Sequence, residues 1–334
     1  MERFVVGTGR CGSTLLSRML AENRNVLSVF EFFTGLDMTK RFGSEPVDGP
    51  VLAALIGQEH PFVTMVLSRG YEVEEITYPF GPSSRYQPSD HLPWVLVSTL
   101  PRLTDDPDAL FDETLAFATT LPRQPLAQHY RQLFVWWGER LGKSCWVERS
   151  GSSIDYVGGL HELYSNARFV HLHRDGPETS LSMREHAAYR LAISLLYQLP
   201  AEGAPSIDSL RAVDPGIAAD ASDSISRMLA SSPPVEYFGR YWSQELVNGF
   251  AALPKLRGDQ LLAVSFEDLV SSSVETLRAI GDYLALPADD GWVERGAALV
   301  RGVPPARFGT LSPDEQASLS DACAEGMRLL GRAS

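Results

Sequence analysis

The sequence predicts an α/β fold in which a mostly parallel central sheet lies between two layers of helices. Short apolar strand-like runs alternate with helical patterns along much of the chain, which is typical of parallel sheets covered on both faces. A glycine-rich loop also lies directly between the first strand and the first helix. In open α/β sheets, such loops bind ligands at the carboxyl ends of the strands. We expect one domain over residues 1–334.

The elements follow from periodicity, since apolar residues recur every three to four positions in helices and form short runs in buried strands. The first strand is residues 4–6, and the helix after the loop runs from 13 to about 21. An extended run begins at 26–29. Three later strand-like runs each follow a helical pattern. The run 145–147 follows the pattern at 133–140, the run 168–173 follows that at 160–164, and the run 261–266 follows that at 242–250.

Two regions depart from this alternation. Residues 34–140 are interrupted by several prolines and hold the aromatic residues Tyr71, Tyr78, Phe80, Tyr86 and Trp94. We interpret this region as an insertion that shapes an acceptor pocket, with a structural cap over the sheet as the alternative. Residues 199–235 are rich in Ala, Ser, Asp, Pro and Gly. This composition is typical of a mobile lid or a solvated insertion.

Composition restricts the partners. The net charge is 29 − 42 = −13 and the pI is about 5.0, which argues against nucleic-acid binding because that binding relies on basic surfaces. A small anionic ligand needs only a few local donors. Three distant cysteines predict a reducing compartment. The sequence has no signal peptide pattern and no run of about 18 apolar residues, so we expect a cytoplasmic protein without a transmembrane segment.

The strongest motif is the loop Gly7-Thr8-Gly9-Arg10-Cys11-Gly12-Ser13-Thr14. Such a loop presents backbone N–H groups and the positive end of a helix to an anion. Its spacing matches the nucleotide P-loop, but Ser13 stands where a nucleoside triphosphatase carries lysine. The loop is therefore suited to a phosphate but lacks the lysine that handles a triphosphate with magnesium. The alternative is a β–α turn without a ligand.

The segment Arg10-Cys11-Gly12-Ser13-Thr14-Leu15-Leu16 resembles the 5′-phosphosulfate loop of the sulfotransferase family. It has the Arg-bearing form of bacterial and of carbohydrate- or tyrosyl-protein-directed members. The resemblance implies a P-loop NTPase-like three-layer sandwich. It also implies 3′-phosphoadenosine-5′-phosphosulfate (PAPS) as donor, released as 3′-phosphoadenosine-5′-phosphate (PAP), with no metal. Gly9, Arg10, Cys11, Gly12, Ser13 and Thr14 would bind the donor's 5′ end.

A second anion site is predicted where the strand at 168–173 ends. Arg174 follows this strand, and Ser182 lies eight residues further on, early in the next helix. The planar guanidinium of arginine can donate two parallel hydrogen bonds to a phosphate. In the family this arrangement binds the donor's 3′-phosphate. The alternative for Arg174 is a surface ion pair with Asp175 or Glu178.

The C-terminal half resembles the family more loosely. Val264-Ser265-Phe266-Glu267-Asp268-Leu269 matches a strand and turn that precede a helix. Arg301-Gly302 and Arg307-Phe308-Gly309 resemble a late loop that closes over the nucleotide. The resemblance implies that Arg301 reaches the 3′-phosphate and that Phe308 covers the adenine.

Glu31 is the candidate general base, because related members place a catalytic glutamate at a matching position, often before aromatic residues. The alternative is a solvated glutamate at a strand end. Arg149 stands where the family has a lysine near the sulfuryl group, so it is the candidate for stabilising the transition state together with Arg10. Its alternative is an ion pair with Glu148 or another neighbour. His60, His91 and His129 lack the family's histidine context, and we expect core or surface positions for them.

The resemblance implies sulfuryl transfer to a hydroxyl of a small-molecule, carbohydrate or lipid-linked acceptor. The first rival is a P-loop kinase or other nucleotide phosphotransferase, against which Ser13 argues. The second rival is a non-catalytic nucleotide-binding relative.

Overall fold

A five-stranded parallel sheet forms the centre of the computed structural model, which describes residues 1–199 and 223–332. The strands are β1 (Arg3–Val6), β2 (Val26–Phe30), β3 (Cys145–Arg149), β4 (Arg168–His173) and β5 (Leu261–Ser265). Their order across the sheet is β2-β3-β1-β4-β5, and all four pairings are parallel. Most of the predicted segment 199–235 lies outside the described residues.

Helices cover both faces of the sheet. In the described residues they are α1 (Ser13–Ala21), α2 (Gly49–Gly57), α3 (Pro61–Leu67), α4 (Pro107–Thr120), α5 (Leu126–Arg140), α6 (Val157–Leu163), α7 (Gly176–Glu185), α8 (Ala187–Leu196), α9 (Ser224–Ala230), α10 (Val235–Ala252), α11 (Phe266–Ser271), α12 (Ser273–Leu284), α13 (Trp292–Ala297) and α14 (Pro313–Leu329). The predicted turn at 266–269 is thus the short helix α11.

The two faces of β1 bury different clusters, because successive side chains of a strand point to opposite sides. Phe4 stacks on Phe169 at 5.6 Å between ring centroids and joins a cluster with residues of α5. Val5 joins a second cluster that contains Leu16 of α1 and Leu277 of α12. These two clusters lie between the sheet and the helices on its two faces, so the predicted three-layer α/β sandwich with a parallel central sheet is confirmed.

The region 34–140 divides into two parts. Its last helix, α5, buries Leu133, Phe134 and Trp137 in the same cluster as Phe4, so this helix belongs to a layer of the sandwich. The preceding helices α2, α3 and α4 extend this cluster through Leu52, Val63 and Leu110. This part supplies one wall of the cavity described below.

Parallel strands gather the candidate site residues. The carboxyl ends of β1, β2, β3 and β4 lie at one edge of the sheet, because neighbouring strands run in the same direction. The glycine loop follows β1, Glu31 follows β2, Arg149 ends β3 and Arg174 follows β4. Ligands of open α/β sheets bind at such an edge.

Candidate active site

A cavity of about 290 Å³ lies at this edge of the sheet. One part of its lining, here called the loop wall, contains residues of the segments 9–14, 31–34, 149–152 and 174–189. The other part, here called the outer wall, contains His60, Phe62, Val63, Val66, Val73, Glu75 and Trp94.

The glycine loop presents an uncapped helix N-terminus to the cavity. Gly12 is the N-cap of α1 with φ of 92° and provides no side-chain cap. The first N–H groups of a helix lack intrahelical acceptors and attract anions. A Cβ at Gly12 would lie 2.2 Å from the Phe266 ring, and one at Gly9 would lie 1.5 Å from the Tyr189 hydroxyl. Both glycines are therefore needed for packing of the loop.

The loop residues differ in what they expose. Gly9, Arg10, Gly12, Ser13 and Thr14 line the cavity. The Cys11 side chain is instead fully buried in the core, where burial raises the pKa of its thiol to about 11. Only the backbone N–H of Cys11, and not its thiol, can therefore contact a bound anion.

Arg10 extends from the loop wall to Glu74 and Glu75. Its backbone is left-handed, with φ of 61°, a strained conformation for a residue with a side chain. Its Nε donates to Ser182 Oγ at 3.3 Å, and its Nη1 is 2.7 Å from Glu74 Oε2 and 3.6 Å from Glu75 Oε1. The structure thus brings Arg10 and Ser182, predicted in two separate anion sites, within hydrogen-bond distance.

Arg174 is a buried cation at the end of β4, with 8% of its surface exposed. Its guanidinium lies 4.7 Å from the centre of the Phe266 ring, and no carboxylate of the described residues forms an ion pair with it. Burial and the nearby Arg307 lower its pKa. The alternative of a surface ion pair does not hold, because Asp175 caps α7 and Glu178 pairs with Arg307.

Glu31 and Arg149 form a buried ion pair in the cavity, with 4% and 2% of their side chains exposed. Glu31 Oε2 also accepts hydrogen bonds from Thr34 Oγ1 at 2.6 Å and from the Gly151 N–H at 2.9 Å. Arg149 Nη2 donates to Thr14 Oγ1 at 2.8 Å. This chain of contacts joins β2, β3 and the glycine loop, so the alternative of a solvated Glu31 does not hold.

Hydrogen bonds also fix the backbone of Glu31. The Glu31 N–H donates to the Arg149 carbonyl at 2.7 Å, and Trp94 Nε1 donates to the Glu31 carbonyl at 2.7 Å. Glu31 has φ of 55°, and Ser152, which follows Gly151, has φ of 46°. Together with Arg10, three non-glycine residues around one cavity adopt left-handed conformations, which cluster at functional sites.

Two serines near Arg149 have different surroundings. Ser150 is buried and donates to Glu148 Oε1 at 2.6 Å. Ser152 lines the cavity and lies 2.7 Å from the Tyr189 hydroxyl. Of the two, Ser152 is therefore the one placed to meet a ligand.

Several cavity residues were not predicted as site residues. His186 Nε2 lies 3.1 Å from Glu75 Oε2, and this pairing contributes to lowering the pKa of Glu75 to about 2. His60 lines the cavity, with its ring 5.3 Å from that of Trp94. These residues follow no motif in the sequence, and only tertiary packing, such as that of α3 against α8, brings them to the cavity.

Other candidates lie elsewhere. Tyr78, Phe80 and Tyr86 pack against one another and do not line the cavity. His129 is buried and lies 2.8 Å from the Val47 carbonyl. His91 is 65% exposed and pairs with Glu59. The expected core or surface positions thus hold for these two histidines and not for His60.

The late loop lies at the margin of the site. Arg301 is exposed and is absent from the cavity lining. Arg307 pairs with Glu178 and Glu185, and the Phe308 N–H donates to Glu178 Oε1 at 2.9 Å. The loop is therefore anchored to α7 through Arg307 and Phe308, with Arg301 outside this anchor.

The chemistry of the cavity combines anion binding with a buried carboxylate. The α1 N-terminus and Arg174 both offer contacts for negative charge, and Arg149, the partner of Glu31, contacts Thr14 of the loop. Such a site suits transfer of an anionic group, in which positioning and charge stabilisation dominate.

In the residues that the structure describes, no helix is long and apolar enough to cross a membrane.

Comparisons with known proteins identify the family. A family model described as the sulfotransferase family matches residues 3–195, whereas no curated protein matches the sequence. The sulfotransferase domain from the curacin biosynthetic pathway is 13% identical, with a TM-score of 0.51 over 99% of this chain and 98% of that one. At this identity the likeness shows the fold alone.

Two further solved structures are similar at lower scores. The sulfotransferase domain from the Synechococcus PCC 7002 olefin synthase is 15% identical, with a TM-score of 0.47 over 99% of this chain and 93% of that one. A sulfotransferase from Mycobacterium avium is 13% identical, with a TM-score of 0.47 over 99% of this chain and 77% of that one. Because the family model covers more than half of the 334 residues, the chain belongs to the sulfotransferase family and is a sulfotransferase.

Proposed function

We propose that this sulfotransferase moves a sulfuryl group in line from PAPS to a hydroxyl of an acceptor in the cavity, with Glu31 as general base. The observation that carries the proposal is the juxtaposition of two anion sites with a buried Glu31–Arg149 pair at one sheet edge. The loop wall would hold the donor, and the outer wall would hold the acceptor.

The residues present fit a donor with anionic groups at two ends. The uncapped N-terminus of α1, with Ser13 and Thr14, would bind the 5′-phosphosulfate. Arg174 and Ser182 would bind the 3′-phosphate. Arg174 supports this assignment because it is 8% exposed and has no carboxylate partner among the described residues, and a buried cation without a partner is costly.

The donor supplies the sulfuryl group when it is bound. A bond forms between the acceptor oxygen and sulfur while the bond from sulfur to the 5′-phosphate oxygen breaks, so PAP leaves. The acceptor hydroxyl gives its proton to Glu31. The chain itself holds the acceptor oxygen in line, receives the proton and neutralises charge on the leaving phosphate.

Both carboxylate oxygens of Glu31 already have hydrogen-bond donors. Its Oε1 faces Arg149, and its Oε2 accepts from Thr34 and from the Gly151 N–H. Thr34 has a side chain that can rotate, so the acceptor hydroxyl would take the place of the Thr34 hydroxyl on Oε2. The proton would then move to that oxygen.

Arg149 and Arg10 would have different parts in charge stabilisation. Arg149 contacts Thr14 of the loop and Glu31 at once, so it can stabilise charge on the transferring group without moving. Arg10 is paired with Glu74 and is 19% exposed. It would have to exchange Glu74 for the donor in order to act. Arg301 would contribute only if the late loop moved, since it lies outside the cavity lining.

Calorimetric titration with PAP tests the donor assignment. We expect PAP to bind more tightly than adenosine 5′-monophosphate. We also expect Arg174→Ala to weaken PAP binding about 10- to 100-fold, since a charge-assisted contact contributes roughly 1.5–3 kcal/mol. Arg278→Ala is the matched control, because Arg278 pairs with Glu294 at the surface, outside the cavity; this variant should bind PAP like the wild type.

ATP with magnesium tests the rival phosphotransferase. Preference for ATP with magnesium, or PAP binding that ignores the 3′-phosphate, would overturn the proposal. A protein that binds PAP but transfers no sulfuryl group to any acceptor would instead support the non-catalytic rival.

A further inference from the structure

The outer wall of the cavity is apolar over most of its extent. Val63, Val66 and Val73 are each at most 7% exposed and line the cavity. Phe62 and Trp94 line it beside them. Val63 and Val66 lie on one side of α3, which therefore faces the cavity with aliphatic side chains.

The polar groups on this wall are either neutral or already paired. Burial lowers the pKa of His60 to about 4, so its imidazole is uncharged at neutral pH. Trp94 Nε1 donates to the Glu31 carbonyl. Glu75 pairs with His186 and lies 3.6 Å from Arg10.

We propose that the acceptor is a neutral alcohol or phenol with an apolar body, bound against α3 and Trp94 with its single hydroxyl directed at Glu31. This inference rests on the proposed function and deepens it. Contact with apolar side chains favours a ligand that loses little hydration on binding. Only the hydroxyl then needs polar partners, and Glu31 with Thr34 provides them.

The same wall disfavours carbohydrates. A sugar carries several hydroxyls, and each one that loses water without gaining a partner costs binding free energy. Phe62, Val63, Val66 and Val73 provide no side-chain donor or acceptor for them. A carboxylate-bearing acceptor is also disfavoured, because it would lie near Glu31 and Glu75 while the arginines beside them are already paired.

The cavity volume limits the part of the acceptor that is enclosed. The cavity has a volume of about 290 Å³, and the sulfuryl end of the donor would take some of this space. One or two fused rings, or a short alkyl chain, would fill the remainder.

An acceptor panel with PAPS tests the inference. 2-Naphthol represents apolar phenols, 1-octanol represents apolar alcohols, and N-acetylglucosamine represents carbohydrates. We expect 2-naphthol or 1-octanol to be sulfated with kcat/KM about 100-fold or more above that for N-acetylglucosamine. Comparing kcat/KM for 2-naphthol with that for 1-octanol shows whether the cavity prefers a planar or a flexible acceptor.

A matched pair of variants locates the acceptor. Phe62→Ala should raise KM for the apolar acceptor about tenfold, because it removes an apolar contact surface, and it should leave PAP affinity unchanged. Phe80→Ala is the control, since Phe80 is also half-buried but packs on Tyr78 outside the cavity; its KM should match the wild type.

The outcomes separate the two proposals. Failure to bind PAP would overturn the proposed function itself. PAP binding without turnover of either apolar acceptor would overturn this inference. Turnover of N-acetylglucosamine above that of the apolar acceptors would also overturn it, as would equal changes in KM for the apolar acceptor in Phe62→Ala and Phe80→Ala.

Discussion

The two walls of the cavity are built differently. Much of the loop wall consists of residues that end or follow neighbouring parallel strands, so the sheet fixes their spacing, and the rest lies on or beside α7 and α8. The outer wall comes from α3 and from residues 73–94, which join it only through tertiary contacts. Two of these contacts connect the walls, Arg10 with Glu74 and His186 with Glu75.

The charged pairs of the two walls also differ in burial. Arg149 and Glu31 are 2% and 4% exposed at the side chain, whereas Glu74 is 68% exposed in its pair with Arg10. Removing one partner of a buried pair leaves a charge without solvation, but an exposed pair contributes little because water and salt screen it. We therefore expect larger effects from changes to the Glu31–Arg149 pair than from changes to the Arg10–Glu74 contact. The second contact between the walls, His186 with Glu75, is more buried, with 7% and 15% of the side chains exposed.

Glu31→Gln tests this comparison at its strongest point. Under the proposed mechanism turnover falls about two to four orders of magnitude, because the amide cannot accept the proton. The variant should also unfold at a lower temperature, since Arg149 loses its charged partner in a buried site. The measurements are steady-state sulfation, PAP affinity and thermal unfolding.

Asp223→Asn separates lost stability from lost chemistry. Asp223 pairs with Arg69, which is 3% exposed, and both lie outside the cavity. This variant should lower thermal stability but retain turnover. Near-normal turnover of Glu31→Gln, or an equal loss in Asp223→Asn, would remove Glu31 from the mechanism.

Stability against pH tests the region behind the loop wall. Glu245 on α10 is buried and accepts a hydrogen bond from Tyr241 at 3.1 Å, and burial raises its pKa to about 8. Between its ordinary value near 4.5 and 8, the folded protein therefore holds a proton that the unfolded chain releases. The free energy of unfolding should fall as pH rises through this window, by up to about 1.4 kcal/mol per pH unit for this group.

Denaturant unfolding of Glu245→Gln at pH 5.5 and 7.5 measures this contribution. The amide cannot titrate, so the variant should lose less stability than the wild type between these two values. Burial also raises the pKa of Glu148 to about 8, so Glu148 would contribute equally to the pH dependence of stability in the wild type and in Glu245→Gln. Glu139→Gln, at an exposed position of α5, should behave like the wild type; identical pH dependence in all three proteins would contradict a buried proton on Glu245.

Glu74→Gln tests the contact between the walls and should have the smallest effect. We expect less than about 1 kcal/mol change in stability, because Glu74 is mostly exposed. Arg10 would be freer to meet an anion, so PAP affinity should rise by about threefold or less. A large loss of turnover or of PAP binding would show that the outer wall is as tightly coupled as the loop wall.

Much of the sandwich was predictable because its signals are local. Strands 4–6, 168–173 and 145–147 appear as short apolar runs beside helices, and β1, β4 and β3 contain them. The strand order was not predicted, since it depends on pairing between distant segments. The helix α11 was missed because a turn and a one-turn helix share the same polar residues.

The anion sites were predictable for a related reason. Gly12, Ser13 and Thr14 lie at a helix start, and Arg174 lies at a strand end, so a few neighbouring residues define each site. The partners of these residues were not predictable. The contact of Arg149 with Glu31 joins residues 118 positions apart, and that of Arg10 with Glu74 joins residues 64 positions apart.

The sequence by itself determined the sulfotransferase family, the three-layer α/β fold and the position of the glycine loop and Arg174, because periodicity and short motifs act over a few residues. Only the tertiary structure decided that Glu31 is buried against Arg149, that Arg10 reaches Ser182 and Glu74, and that α3 closes the cavity with apolar side chains. These contacts depend on how distant segments pack around the sheet, and no short run of residues specifies that packing.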